Sequence, residues 1–502
     1  MRAPMRSWDG AVKQHWAARL CVTVMLAALG AGSVAVPAHA EADASARVSG
    51  LWYVDRLKLP EVRDLGLTGK GITIAVIDDA INPEVAELQG ADIEVVGQFC
   101  RDQASGSELP AATDDVARAH GTDVTAMLVG NGVAADGGQG TQGIVPDATV
   151  RFYASDGVAG TDGDWTCDAY NPVTGEFASD SDVRLSEFGG LPTVPSALAA
   201  YQAIQDGVDI ISISSVTSAW SSIDWMPVAI YALQQGIPIV AGTNNPGATL
   251  DEALNTIPAG LNGSVAVGGV DVDGNPILGV DQELGDITEA DGLQNMGFAG
   301  PGYQMLVPSS SGGWSPGLAS GTSLATPLIA GTIALGLEHT PDATANQVIR
   351  AMMSSTGKGT VREPEWIDPQ YGYGIVNPVA MLGVDPLQFP DENPLFVTSP
   401  DDPRCGAGAS VSSNGELVQC RWTVGPTIDA VQAQLPPGVR NDNVTESSPA
   451  AKLLQSVGSI VLIASIALVL LGAVVIAVVV ARQRTRRSKR ADGTPTNRDG
   501  SL

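Results

Sequence analysis

Three side chains spread along this 502-residue sequence have the types needed to attack a carbonyl and move the proton involved: Asp78, His120 and Ser323. A serine hydroxyl is a poor nucleophile until an imidazole removes its proton. The imidazole in turn needs a carboxylate to fix its tautomer. Histidine is scarce: of four in the chain, His15 and His39 fall within the first forty residues, leaving His120 and His339. His339 closes a helical pattern (333–338), where an imidazole commonly caps carbonyls. His120 stands in Ala119-His120-Gly121-Thr122, just before an apolar helical stretch, and becomes interesting only through its company.

That company must be delivered by the fold. Asp78 follows the apolar run 72–77, which is broken only by Thr73 and reads as a central parallel strand covered on both faces. A residue at the carboxyl end of such a strand lies where ligand sites of open α/β sheets gather. Ser323 precedes the apolar helix 328–337, so it meets the positive end of a helix dipole and unpaired backbone N–H groups. Further along, a helix at 197–205 ends at Gly207 before a strand at 208–214, and a helix at 228–235 ends at Gly236 before a strand at 237–241. Strands alternating with helices of this length predict right-handed crossovers and an α/β fold with a doubly wound parallel sheet. Residues 264–272 and 276 onward read as a hairpin turned at Asp273-Gly274. That turn also explains the acids of Asp271-Val-Asp-Gly-Asn275, whose spacing is wrong for a calcium loop. No cofactor is expected: no C-x-x-C pair occurs to hold zinc, and calcium dependence stays open, since no acidic loop shows a recognisable ligand spacing.

Composition bounds the partners. A net charge of −28, from 55 acids against 27 bases, lacks the basic footprint that a nucleic-acid binder needs. Residues 1–40 carry basic residues, an apolar stretch and Ala38-His39-Ala40, the layout of a secretory signal peptide. Residues 457–480 contain no charge and are long enough for one bilayer crossing. Arg482, Arg484, Arg486, Arg487, Lys489 and Arg490 follow, a cluster that stays cytoplasmic, so the bulk of the protein faces outward. The expected division is a signal peptide (1–40), a short extension (41–65), an α/β catalytic domain (66–385), a Pro/Asp-rich membrane-proximal stalk (386–455), a transmembrane helix (457–480) and a basic tail (481–502). Signal cleavage removes Cys21 and leaves Cys100, Cys167, Cys405 and Cys420. An even count in an exported chain suggests two disulfides. Three pairings are possible, and proximity favours Cys100–Cys167 with Cys405–Cys420.

With these pieces in place the chain resembles the subtilisin-like serine proteases over roughly residues 65–385. The resemblance is carried by Ala-Val-Ile-Asp78, His120-Gly-Thr, Gly143-Ile-Val-Pro-Asp-Ala148 and Gly-Val-Asp-Ile-Ile-Ser-Ile-Ser214. Ala266-Val-Gly-Gly-Val270, Gly372-Tyr-Gly-Ile-Val-Asn-Pro378 and, most specifically, Ser320-Gly-Thr-Ser-Leu-Ala-Thr-Pro327 complete it. It implies a sheet of subtilisin type in which Asp78 orients, His120 is general base and acid, and Ser323 attacks the peptide carbonyl. It also implies an oxyanion-hole Asn after an apolar strand, where Asn244 aligns best by distance and Asn245 is the alternative. Residues Ser214, Ser215 and Val216 fall where the family docks a substrate strand.

Three departures stand out. The family's Asp-Ser/Thr-Gly is here Asp78-Asp79-Ala80, a second His after His120 is replaced by Asp123, and the usual Gly after Ser214 is absent. Asp79 adds negative charge that raises the triad's proton affinity or favours basic substrates. The short extension, export signal, C-terminal anchor and basic tail together resemble the mycosins, the membrane-anchored subtilases that accompany type VII secretion. The expected function is a membrane-anchored extracytoplasmic serine endopeptidase acting on polypeptides, with secretion-system membrane proteins as partners. The alternative is a protease-fold scaffold that stabilises such a complex and for which cleavage is dispensable. An acyl hydrolase of another kind is disfavoured, because no Gly-x-Ser-x-Gly elbow surrounds Ser323.

Overall fold

A computed structural model describes residues 42–399 except 103–104, 157–166, 173–191, 216–221, 244, 246–255, 278–295, 358–360 and 369, together with 401–402, 404, 410–411 and 417–419. All of these belong to the compact unit Met1–Pro436; a second unit, Pro437–Leu502, lies wholly outside the described residues. The expected signal peptide, transmembrane helix and tail therefore also lie outside them. Among the described residues no helix is long and apolar enough to cross a membrane.

The core is a seven-stranded sheet built from β1 (Thr73–Asp78), β2 (Asp92–Gln98), β3 (Thr149–Ala154), β4 (Ile210–Ile213), β5 (Ile239–Gly242), β6 (Val265–Val270) and β7 (Met296–Pro301). Its order is β7-β6-β5-β4-β1-β3-β2, and every pairing in it is parallel. The expected α/β sheet is thus present. Among its interior strands, β1 is apolar from Ile74 to Ile77 because both faces are covered. Ile74 and Val76 point into one core with Met127, Leu128, Ile329 and Ile333. Ala75 and Ile77 point into another with Ala197, Ala200, Ile204 and Val228.

The first layer contains α1 (His120–Val129), α4 (Thr322–His339) and α5 (Ala345–Met353). The opposite layer contains α2 (Pro195–Gln205) and α3 (Ser222–Gln235). α4 is buried from Thr322 to Gly336, which accounts for a sequence that is apolar all round rather than on one stripe. It runs from the serine segment to His339 as one helix, longer than the 328–337 pattern, with Pro327 inside its second turn. Likewise α3 begins at Ser222 and carries Pro227, where the sequence pattern had placed a start at Val228.

Two expectations change at the margins of the domain. The short extension expected at 41–65 contains three short helices, Ala44–Gly50, Trp52–Arg56 and Leu59–Asp64. Tyr53, Leu57, Leu59 and Val62 from them are buried in the same core as α4. The Tyr53 hydroxyl donates to Gln142 O at 2.8 Å and accepts from Gln142 N at 2.9 Å, and Arg47 pairs with Asp136 at 2.8 Å. At the other end, packing continues past Asp385. The Asn262 amide donates to Val397 O (3.0 Å) and accepts from Val397 N (2.7 Å), acting as a substitute strand partner. Arg404 then donates to Leu395 O at 2.8 Å. The stalk expected from residue 386 therefore begins as part of the domain wall.

Of the hairpin expected after Val270, the turn and one bridge fall among the described residues, while 278–295 lie outside them. Val270 and Pro276 form an antiparallel bridge, and β6 itself lies between β7 and β5, parallel to both. The Asp271 carboxylate accepts from Asp273 N, Asn275 N and Asn275 Nδ2 at 2.8–3.1 Å, so its own turn occupies it. Of the two expected disulfides, Cys100–Cys167 is present, joining the ribbon of Cys100–Asp102 and Cys167–Ala169. Cys405 and Cys420 lie outside the described residues.

The close approach of α1 to the sheet depends on one small residue. A Cβ on Gly121 would lie 2.3 Å from Ala80 O and 2.6 Å from Phe152 Cζ. Backbone cannot yield cheaply there, so Gly121→Ala is expected to destabilise the fold by about 1–3 kcal/mol. Chemical denaturation of the two proteins side by side checks this; equal midpoints and slopes would show that α1 is not packed as described.

Candidate active site

The strand registers bring the ends of β1, β3, β4 and β5 to one edge. Asp78 pairs with Ala154, Ile77 with Ile213, and Ile213 with Ala241. The residues leaving these strands, Asp78, Ser155, Ser214 and Thr243, therefore stand side by side at the carboxyl edge, as open α/β sheets arrange their sites.

Asp78 is buried, 1% exposed. Its Oδ1 accepts from Asp79 N at 2.9 Å and lies 2.7 Å from His120 Nδ1. A carboxylate oxygen only accepts, so Nδ1 carries the hydrogen and Nε2 is left as the second nitrogen of the ring. The His120 side chain is 27% exposed against 1% for Asp78, so the imidazole links a buried carboxylate to the surface. Oδ2 of Asp78 is buried without a hydrogen-bond partner.

His120 is the first residue of α1, and the turn it begins is tied down at each following position. Gly121 N donates to Asp79 Oδ1 at 2.9 Å. Thr122 Oγ1 accepts from Asn82 N at 2.8 Å. Asp123 Oδ2 accepts from the Ser309 hydroxyl at 2.6 Å. Asp79 and Asn82 belong to the loop that leaves β1, so the carboxylate and the imidazole are positioned by the same short segment. Buried Arg118 reinforces that loop, donating to Asp79 O at 2.7 Å and Pro110 O at 3.0 Å. Nothing in the sequence spacing marks Arg118 or Ser309, and Thr122 enters only as part of His120-Gly-Thr.

Ser323 is the second residue of α4 and is 6% exposed. The Ser214 hydroxyl donates to Ser323 O at 2.9 Å, fixing the serine backbone from β4. Thr322 N donates to Asn245 Oδ1 at 2.8 Å, and the Thr322 hydroxyl donates to Thr243 O. A Cβ on Gly321 would lie 2.9 Å from Ser323 Oγ, 3.1 Å from Asn245 Oδ1 and 3.4 Å from Asn245 Nδ2. Gly321 thus keeps open a small hollow shared by the serine hydroxyl and the Asn245 amide. With Oδ1 held by Thr322 N–H, the donors of that amide are on Nδ2.

Among the remaining sequence candidates, Asn244 and Val216 lie outside the described residues, and Ser215 is half-buried beside Ser214. His339 is exposed at the far end of the 18-residue α4, about 25 Å from Ser323 at 1.5 Å per residue, and takes no part in the site.

Electrostatics around His120 are strongly one-sided. Burial alone would lower its proton affinity, but this is outweighed by Asp78, then Asp79 and Asp123, which push the imidazole up to about 10. Burial and the neighbouring Asp78 charge raise Asp79 to about 7, against the opposing pull of His120 and the Gly121 and Ala80 N–H groups.

Comparison with known proteins places the chain in a family. The profile of the Subtilase family, Peptidase S8, matches residues 69–374. The chain is 27% identical over 327 residues to minor extracellular protease Epr of Bacillus subtilis, covering 65% of this chain and 40% of that protein. It is 26% identical over 367 residues to Mycosin-1 of Mycobacterium tuberculosis, covering 66% of this chain and 72% of that one. The chain thus spans well under half of Epr, and 19% of minor extracellular protease Vpr of the same organism. A solved structure of the MycP3 protease from the type VII (ESX-3) secretion system is 21% identical, with a TM-score of 0.47, over 69% of this chain and 92% of that one.

The acidic surroundings of His120 are directly measurable. An anion beside the ring favours imidazolium, so removing it must lower the pH at which His120 loses its proton. Asp79→Asn keeps the acceptor for Gly121 N but not the charge. Histidine-selective ¹⁵N NMR should show His120 titrating well above 6.5 in the wild type and at lower pH in Asp79→Asn. An identical midpoint in both proteins would remove Asp79 from the account.

Proposed function

The chain belongs to the subtilase family, and on that footing we propose that it is a membrane-anchored serine endopeptidase working through Asp78, His120 and Ser323. The observation that carries this reading is the 2.7 Å contact between His120 Nδ1 and Asp78 Oδ1. It holds the imidazole in the tautomer whose other nitrogen can accept a proton.

In the proposed reaction Ser323 Oγ attacks the carbonyl carbon of a bound polypeptide while His120 Nε2 takes the hydroxyl proton. The oxyanion that forms is received by donors already aimed at it, so little reorganisation is needed during the step. One is the Ser323 N–H, which the first turn of an α-helix leaves without an intrahelical partner. The other is Asn245 Nδ2. We assign that role to Asn245 rather than Asn244 because its side chain is anchored on Thr322, the neighbour of the nucleophile. His120 then passes its proton to the leaving amine, giving an acyl-enzyme that water hydrolyses by the reverse proton path. Ser214 fixes the serine backbone, and the segment Ser214–Ser215–Val216 is the proposed edge against which the substrate strand lies.

Anchoring is proposed from the sequence: the uncharged run 457–480 with its basic flank reads as a single-pass helix that leaves the catalytic domain outside. Similarity to Mycosin-1 supports a place beside a secretion system, where the enzyme would process or support its components.

Two measurements test the reading. A fluorophosphonate probe should label the full-length protein on Ser323, and Ser323→Ala should abolish both labelling and peptide cleavage. Labelling absent from Ser323 in a folded sample would sink the endopeptidase reading, and unaltered secretion with Ser323→Ala would favour a scaffold role. Asn245→Ala should reduce kcat about 10²–10³-fold with little change in KM, since the lost donor serves the transition state. A kcat equal to wild type would return the assignment to Asn244.

A further inference from the structure

We propose that Asp123 is a positioning residue for the triad: its carboxylate ties the His120 helix to the ribbon that leads into Ser323 and places a further negative charge behind the imidazole. This rests on the endopeptidase reading above and identifies what aligns its two halves.

Acids in the first turn of a helix are common, because the dipole favours them, and most face solvent. Asp123 does not. It is 6% exposed, and its carboxylate takes both a side-chain and a backbone donor from one residue, 186 positions away. Ser309 Oγ donates to Oδ2 at 2.6 Å and Ser309 N to Oδ1 at 3.2 Å. Ser309 follows the strand Met305–Val307, which pairs antiparallel with Gly317–Ala319. That second strand runs directly into Gly321 and Ser323. The clamp therefore joins the turn that carries the general base to the ribbon that delivers the nucleophile, a junction no other hydrogen bond of α1 makes among the described residues.

Asp123 follows His120 by three positions, which puts both on one face of α1 with Cβ atoms about 5–6 Å apart. The charged groups acting on His120 come from each side of it: Asp78 at the end of β1, Asp79 in the loop beyond, Asp123 on its own helix, and Asp156 after β3. Those acting on Asp123 are His120 and Asp79, besides the Ser309 donors. Burial raises Asp123 to about 7, with the Ser309 donors and His120 opposing. Its charge is consequently established as the solution becomes alkaline, the range in which an imidazole surrounded by acids gives up its proton.

The two roles separate by substitution. Asp123→Asn keeps a hydrogen bond from Ser309 N to Oδ1 and can donate Nδ2–H to Ser309 Oγ, while removing the charge. The acid limb of kcat/KM, normalised to each protein's own plateau, should then move to lower pH by about half a unit or more. Ser309→Ala leaves the acid and weakens the tie; kcat should fall about tenfold with KM unchanged, the scale of a small misplacement of a catalytic group. Fluorophosphonate labelling of wild-type Ser323 is the control. If the wild type does not label, the endopeptidase reading fails and this inference with it. If the wild type labels, an unmoved acid limb in Asp123→Asn or wild-type kinetics in Ser309→Ala overturns the proposal alone.

Discussion

A carboxylate taken out of water must find hydrogen-bond donors; Asp78 takes one from Asp79 N and one from the His120 ring, and the rest of this molecule is arranged around the second. Its burial at the end of β1 would be costly alone. The His120 ring supplies the compensating donor and, in doing so, loses the freedom to rotate or change tautomer. A single hydrogen bond thus solves a folding problem and sets up a proton acceptor facing the surface.

Holding that bond demands close approaches that only particular residues permit. Gly121 lets α1 lie against Ala80 and Phe152, and Gly321 leaves the hollow between Ser323 and Asn245. Around them the polar groups are shared between distant parts of the chain: Asp79 with Gly121, Ser214 with Ser323, Thr322 with Asn245. The short helices that precede β1 bury Tyr53, Leu57 and Val62 in the core that also receives α4, so the scaffold under the nucleophile includes residues from the start of the described chain.

Much of this was legible in the sequence where the physics is local or periodic. The run before Asp78 declared a strand covered on both faces, and the scarcity of histidine left His120 with little competition. What was hidden depends on non-local partners. Residues 44–64 form helices too short to show a periodic face, and they owe their conformation to the core they enter. Val397 is held by the side chain of Asn262, a pairing 135 residues apart in the chain that no spacing announces. The choice between Asn244 and Asn245 turns on the path of a loop after β5, which counting residues does not give; the amide that meets Thr322 is that of Asn245. Pro227 and Pro327, which precede the helices expected at 228–235 and 328–337, sit inside α3 and α4.

The central claim is the hydrogen bond from His120 Nδ1–H to Asp78. A proton spectrum in water reports it directly, because a hydrogen held between imidazole and carboxylate is strongly deshielded and protected from exchange. The account predicts a single low-field resonance assigned to His120 Nδ1–H, which disappears in Asp78→Ala and survives in Ser323→Ala. A folded protein with no such resonance, or one that persists without the Asp78 carboxylate, would contradict it.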